Sequence, residues 1–321
     1  MPHKLIKEIE PGQTINDIYI LKEPILRSTT KGDLYIAMYL GDRSGQLNGR
    51  MWQATEAVYQ SLPKPSGFAY IQGRSEIYQN NLQIVINSIA PADAARINLD
   101  DYLPRTDKDT DLLFSQIREI LAKIKNSQIK AIVNEFLADK PLMEKFKKAP
   151  AAIKVHHAFL GGLLEHTNSM LKAAAAILPL YPHLQADLVL AGIFLHDIGK
   201  TEEFTYDTVF AYSDSGQLLG HIAQGLLMLK QKADNLADKK QPIEQATLDA
   251  IGHIILSHHG QYEFGSPKLP ATAEAYMVNY IDDLDAKLGQ VTDAIENENN
   301  DSNWTSWQRT LETRLYKKRI E

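Results

Sequence analysis

The sequence predicts a multi-domain chain, a small all-β barrel followed by an all-α helical bundle. Three observations carry this. Between residues 18 and 90 the apolar residues fall in short runs of strand length, bounded by turn residues. From residue 111 onward they recur every three or four positions. Between the two lies a polar stretch at 100–110 that contains Pro104 and suits a linker. At 321 residues the chain is also long for a single domain.

Each β element has its own signal. Residues 34–40, 67–72 and 82–87 are apolar or alternating. Asp42-Arg-Ser-Gly45 marks a tight turn between 34–40 and 46–52, and Gln79-Asn-Asn81 marks another between 74–78 and 82–89. Residues 54–62 read as a short helix stopped by Pro63 and Pro65. Five strands with one helix inserted suit a small Greek-key barrel. In the second half, Leu112, Leu113, Ile117, Ile120, Leu121 and Ile124 give one helical period, and Ile129, Ile132, Val133, Phe136 and Leu137 give another. Residues 203–220 form the main interruption, 296–303 a polar surface loop, and 304–320 a last helix. No internal repeat is present.

Composition narrows the class. Hydrophobic content of 44% and charge of 23% are those of an ordinary globular protein. No apolar run reaches membrane-span length, and the N-terminus lacks a signal-peptide core, so a cytoplasmic protein with no membrane partner is expected. With no cysteine, disulfides, thiolate zinc sites and cysteine nucleophiles are excluded together. Any metal must be held by nitrogen and oxygen, which favours Mn, Fe, Mg, Co or Zn in a hydrolytic site. The net charge is −6, residues 1–100 are balanced, and the acid excess lies in 151–300. No segment announces nucleic-acid binding by charge alone.

The chemistry is carried by His196-Asp197, in Leu190-Ala-Gly-Ile-Phe-Leu-His-Asp-Ile-Gly-Lys200. A His-Asp pair inside an apolar helical pattern is costly unless compensated. Imidazole and carboxylate suit the same divalent cations. Matching donors stand elsewhere in the same half: His166, His221, His258, His259 and Asp282. His166 lies on a helix rich in small residues. His221 opens a helix after Gly220, at a mouth that favours anions. His258-His259 end a helix capped by Gly260. Asp282 and Asp285 are three apart on one helix face, so one is a candidate ligand and the other a structural charge. Lys200 is either a phosphate-neutralising cation or a helix-terminal charge, and His156 and His157 are candidates for phosphate contact or leaving-group protonation. There is no P-loop or dinucleotide fingerprint.

The aromatic strand, Gly41-Asp-Arg-Ser-Gly45 and Leu47-Asn-Gly-Arg-Met-Trp52 resemble an OB-fold of the nucleic-acid-binding type. Tyr35, Tyr39, Trp52, Tyr70 and Tyr78 are then candidate stacking platforms, although barrel filler explains any one of them. Arg43, Arg50 and Arg74 are candidate phosphate contacts. His166, His196-Asp197 and Asp282 look like the signature of the HD-domain metal phosphohydrolases, over residues 150–290, and the extra histidines resemble two-metal members. An OB-like domain at 1–100, a helical connector at 101–150 and an HD domain at 151–321 together resemble the YhaM-type 3′-5′ exoribonucleases.

That resemblance implies two ions, Mn foremost. His166, His196, Asp197 and Asp282 hold one, and Asp197 bridges to a second on His221, His258 and His259. Water activated by the two metals then hydrolyses single-stranded RNA, and DNA as an open alternative, to 5′-mononucleotides. His196, Asp197, Lys200 and His157 are the expected catalytic residues. Apolar connector-helix faces leave a homo-oligomer open. Two rivals remain: an HD phosphohydrolase of small or cyclic nucleotides, and a non-catalytic single-strand-binding protein with a structural metal.

Overall fold

The structure is a computed structural model and describes residues 3–63, 67–79, 81–153, 158–206, 210–296, 298 and 300–318. Apart from the short segment at 206–210, the chain divides into one compact unit before Thr106 and one from Thr106 onward.

The first unit is a closed five-stranded barrel. Its elements are β1 (Thr14–Ser28), β2 (Leu34–Asp42), β3 (Gly45–Met51), the short helix α1 (Glu56–Gln60), β4 (Phe68–Tyr78) and β5 (Asn81–Pro91), in the spatial order β1-β2-β3-β5-β4. All neighbours are antiparallel except β3 and β5. Alternation decides what faces in: Ile36, Met38 and Leu40 from β2 meet Ile84 and Ile86 from β5, Ile71 from β4, and Tyr19 and Leu21 from β1. Gly73 sits at the register shift of β4 against β5, where an added Cβ would stand 2.3 Å from the Val85 carbonyl oxygen. Only glycine permits that approach, which bends the strand toward closure.

The second unit is helical. It runs α2 (Thr110–Leu121), α3 (Ser127–Leu137), α4 (Lys140–Lys148), α5 (Gly162–Ile177), α6 (Ala186–Leu195), α7 (Lys200–Glu203), α8 (Asp214–Asp238), α9 (Gln245–Ser257) and α10 (Ala273–Glu296). Asp109, Asn126, Asp139 and Ser213 cap α2, α3, α4 and α8 by accepting backbone N–H bonds. Helix α6 is apolar all round, with every residue from Leu188 to Leu195 buried. That makes it the central helix, packed against α3, α5, α9 and α10. Phe194 on it meets Phe136 and Phe146 edge-on, at 6.5 and 5.7 Å between ring centres.

Two sequence expectations need correction. The interruption at 203–220 holds a two-stranded ribbon, β6 (Phe204–Thr205) with β7 (Ala211–Tyr212), and helix resumes at Asp214, before Gly220. Residues 304–316 are not a last helix. They turn back on themselves through the bridges Trp304 with Tyr316 and Gln308 with Thr313. Trp304, Trp307 and Leu311 imitate a helical spacing, but Thr305 uses its hydroxyl on the backbone, accepting from the Leu315 N–H and donating to the Ser306 carbonyl. Such competition favours turns over helix. No helix of the described residues is long and apolar enough to cross a membrane.

Candidate metal centre

The polar interior of the second unit begins where α6 ends. His196 is its C-cap and Asp197 follows, both within the apolar packing. Gly199 then lets α8 come close: an added Cβ would lie 2.0 Å from the His221 carbonyl oxygen and 2.7 Å from the Gly225 nitrogen. This contact brings His221 beside Asp197. At Gly220 the backbone takes φ 70° and ψ 162°, which kinks α8 one residue before His221. Helix α9 delivers His258 as its C-cap, and His259 precedes Gly260 at φ 76°.

Around Asp197 the ring nitrogens converge. Its Oδ2 lies 3.3 Å from His196 Nε2, and its Oδ1 lies 3.3 Å from His221 Nε2 and 3.5 Å from His258 Nε2. Asp282 Oδ1 lies 3.2 Å from His166 Nε2. Two groups of donors result, His166, His196 and Asp197, and Asp197, His221, His258 and His259, with Asp197 common to both.

The other nitrogen of each ring is occupied. The Nδ1 atoms of His196, His258 and His259 bond the carbonyls of Ile193, Ile255 and Phe264 at 2.7, 2.9 and 2.8 Å. His166 Nδ1 meets Asp285 Oδ2 at 2.7 Å, and His221 Nδ1 meets Glu203 Oε1 at 3.1 Å. A carbonyl can only accept, so for these three rings Nδ1 carries the proton and Nε2 is left as a lone-pair donor. Nε2 of His196, His221 and His258 and Oδ1 of Asp197 are buried without a hydrogen-bond partner. Buried polar atoms are ordinarily satisfied. Lone pairs gathered around Asp197, with each ring held from behind, fit divalent-cation binding.

Electrostatics agree for Asp197, His258 and His259, whereas for His166 burial is outweighed by Asp282 and Asp285, which raise its pKa to about 9. Burial opposes charge on Asp197, but Lys200 first, and then the neighbouring imidazoles of His196 and His258, hold its carboxyl well below the ordinary range. Burial lowers His258, and burial with neighbouring His258 pushes His259 down to about 4. Both rings are therefore neutral at pH 7, the form that binds metal. Lys200 Nζ lies 2.6 Å from Asp197 Oδ2, and that carboxylate outweighs burial and raises its pKa.

The structure thus gathers His166, His196, Asp197, His221, His258, His259, Asp282 and Lys200 in one place. His156 and His157 lie outside the described residues. The two aspartates left open by the sequence divide their work, since Asp282 faces the inward nitrogen of His166 while Asp285 bonds the outward one and accepts from Ser169 Oγ at 2.5 Å. Glu203 was not foreseen. It lies in a charged loop sequence yet is buried, and it accepts from both the backbone N–H and the ring of His221. The helix mouth at His221 is consequently capped from within the protein, contrary to the expectation that it faces an incoming anion.

On the barrel, the expected nucleic-acid residues separate. Tyr35 and Trp52 rings lie 5.0 Å apart, and the Arg50 guanidinium stands over both Trp52 and Tyr78, at 5.8 and 5.3 Å. Tyr70 instead lies under Arg96. Arg43 and Arg74 donate to the carbonyls of Asp100 and Gly12, which ties them to the barrel's own backbone. Tyr39 is half-buried on β2, paired in register with Lys22 and Asn48.

Comparison with known proteins places these features. The HD domain family matches residues 163–287, the span that holds every donor named above. The chain is 33% identical to a 3′-5′ exoribonuclease YhaM of Bacillus subtilis over 288 residues, 89% of each chain. It is also 33% identical to that of a Geobacillus species over 300 residues, 91% of this chain and 88% of the relative. Among solved structures, the second OB-fold domain of replication protein A from Methanococcus maripaludis is 17% identical, with a TM-score of 0.23, over 28% of this chain and 94% of that one. At that score the likeness adds nothing to the strand order already described. Identity at this level, over nearly the full length of both chains and across both units, shows that the chain belongs to the YhaM family of 3′-5′ exoribonucleases.

Proposed function

We propose that this protein is a metal-dependent 3′-5′ exoribonuclease that hydrolyses single-stranded RNA to 5′-mononucleotides. The observation that carries the reading is the set of buried, unpartnered Nε2 and carboxylate atoms gathered on Asp197. His166, His196, Asp197 and Asp282 would hold one divalent cation, and Asp197 with His221, His258 and His259 would hold a second. Five imidazoles and two carboxylates suit Mn²⁺ well, with Fe, Co, Mg and Zn as competitors. Cations bound there would supply Lewis acidity and an activated water.

The chain's own groups do the rest. Asp285, Glu203 and the three carbonyls fix the histidine rings. Lys200, charged and lining the cleft, neutralises a phosphate oxygen. His157 remains the candidate for protonating the leaving oxygen. The Tyr35, Arg50, Trp52 and Tyr78 patch holds the single strand by stacking, which reads no 2′-hydroxyl and so admits single-stranded DNA as well.

A structural metal would need four donors, whereas seven converge here. A small-nucleotide phosphohydrolase has no use for an exposed aromatic and arginine patch on a separate barrel. Oligonucleotides labelled at either end test the reading. A 3′ label should appear first as 5′-mononucleotide, while a 5′ label should give a ladder shortening one residue at a time. Internal fragments as the first product, or no cleavage by metal-replete protein, would refute it.

A further inference from the structure

The metal centre opens into a cleft of about 730 Å³, within the usual range for ligand pockets. One wall is a single stripe of α10. Tyr276, Tyr280, Asp283 and Lys287 recur at helical spacing along it, with Asp282 at its inner edge. Tyr276 and Tyr280 are 49% and 67% exposed, and Phe264, which lines the same cleft, is 63% exposed. Aromatic rings exposed together beside a site of concentrated charge call for an occupant. The two tyrosine rings are nearly parallel, 24° between planes and 6.3 Å between centres.

Both ring-bearing segments are bonded to the metal-centre backbone or rings. Asn279, between the two tyrosines, donates to the His258 carbonyl at 2.7 Å. The carbonyl that holds His259 Nδ1 is that of Phe264 itself. The segments that carry the rings are therefore tied to the point where a phosphate would bind.

We propose that Tyr276 and Tyr280, with Phe264, form a stacking platform for the base of the nucleotide whose phosphate occupies the metal centre. An aromatic face accepts any base, so the platform grips every nucleotide in turn without reading sequence, as stepwise degradation requires. Asp283 and Lys287 are bonded to each other at 2.7 Å and supply no lone directional donor to select a base. The identity of the occupant as an RNA end rests on the reading of the preceding subsection; the affinity for a base does not.

The test is binding of adenosine 5′-monophosphate and of ribose 5-phosphate to the full-length, Mn²⁺-loaded protein, by calorimetry. Wild type should prefer the nucleotide by about fivefold to hundredfold, the range for one stacked base. The Tyr276→Leu, Tyr280→Leu double variant should bind the nucleotide no more tightly than ribose 5-phosphate, and the corresponding double Phe variant should keep the preference. Both substitutions lie on an exposed face, and a thermal melt verifies folding. Equal binding of the two ligands by wild type, or a preference retained by the folded Leu variant, overturns the platform. If base preference is found but no RNA is degraded, the platform stands and the exoribonuclease reading falls.

Discussion

Asp285 Oδ2 lies 2.7 Å from His166 Nδ1, while Asp282, one turn earlier on α10, faces Nε2 of the same ring at 3.2 Å. Two carboxylates on one helix face thus grip one imidazole from opposite sides. Under the proposed function Asp282 would be a cation ligand, while Asp285 fixes which nitrogen of His166 faces it.

This division predicts distinct outcomes for two similar substitutions. Asp285→Asn should weaken metal binding about 10- to 100-fold, the usual cost of losing a partner behind a metal-binding histidine. Hydrolysis should return at high metal concentration. Asp282→Asn should not be rescued by added metal. Metal titration of activity in both variants separates the two roles.

Gly199 predicts a steric failure. A methyl group there collides with the His221 carbonyl at 2.0 Å, backbone that cannot swing aside. Gly199→Ala should destabilise the helical unit by about 3 kcal/mol or more, at the upper end of overpacking costs. It should also lower metal content, because α8 must move and carry His221 with it. Calorimetric unfolding and metal analysis check both.

The barrel carries its own pH dependence. His3 lies 3.2 Å from both Asp17 and Asp42, with its side chain almost fully buried. Burial alone would lower its pKa, but the hydrogen bonds and charges of the two aspartates raise it from 6.5 to about 9. A raised folded-state pKa stabilises fully below the unfolded value and is lost as the imidazole deprotonates. The stability difference between wild type and His3→Gln should therefore be largest near pH 6 and shrink between pH 6.5 and 9. Unfolding of both proteins across that range measures it; a difference independent of pH would contradict the assignment.

The aromatic patch on the barrel predicts a binding defect without a chemical one. Trp52→Ala should weaken single-strand binding by about 1–3 kcal/mol, the worth of one stacked base. The maximal rate of cleavage should stay the same. Saturation kinetics on a long single strand distinguish this from damage to the metal centre.

Much of this architecture was legible in the sequence because it follows from local pattern. The apolar or alternating pattern of 34–40 read as a strand, and the apolar helical pattern around His196-Asp197 proves to be the buried helix α6. The histidine and aspartate candidates were legible because such residues are conspicuous within apolar helices. What was hidden depends on long-range contacts. Nothing local separates Asp282 from Asp285, since only the position of His166, on another helix, decides between them. Glu203 reads as loop charge, yet it ends α7 buried against His221, a partner 18 residues away. The last segment, expected as a helix, instead turns back on itself, where Thr305 uses its hydroxyl on the backbone.

The central claim is that Asp197 joins two cation sites. Metal content and hydrolysis of wild type and Asp197→Ala, measured on the same folded samples, test it most directly. Wild type should hold two ions per chain, and the variant should lose metal together with all detectable hydrolysis of single-stranded RNA while keeping its helical content. A folded, metal-replete Asp197→Ala protein that still degrades RNA, or a fully active wild type with a single ion, would contradict the account.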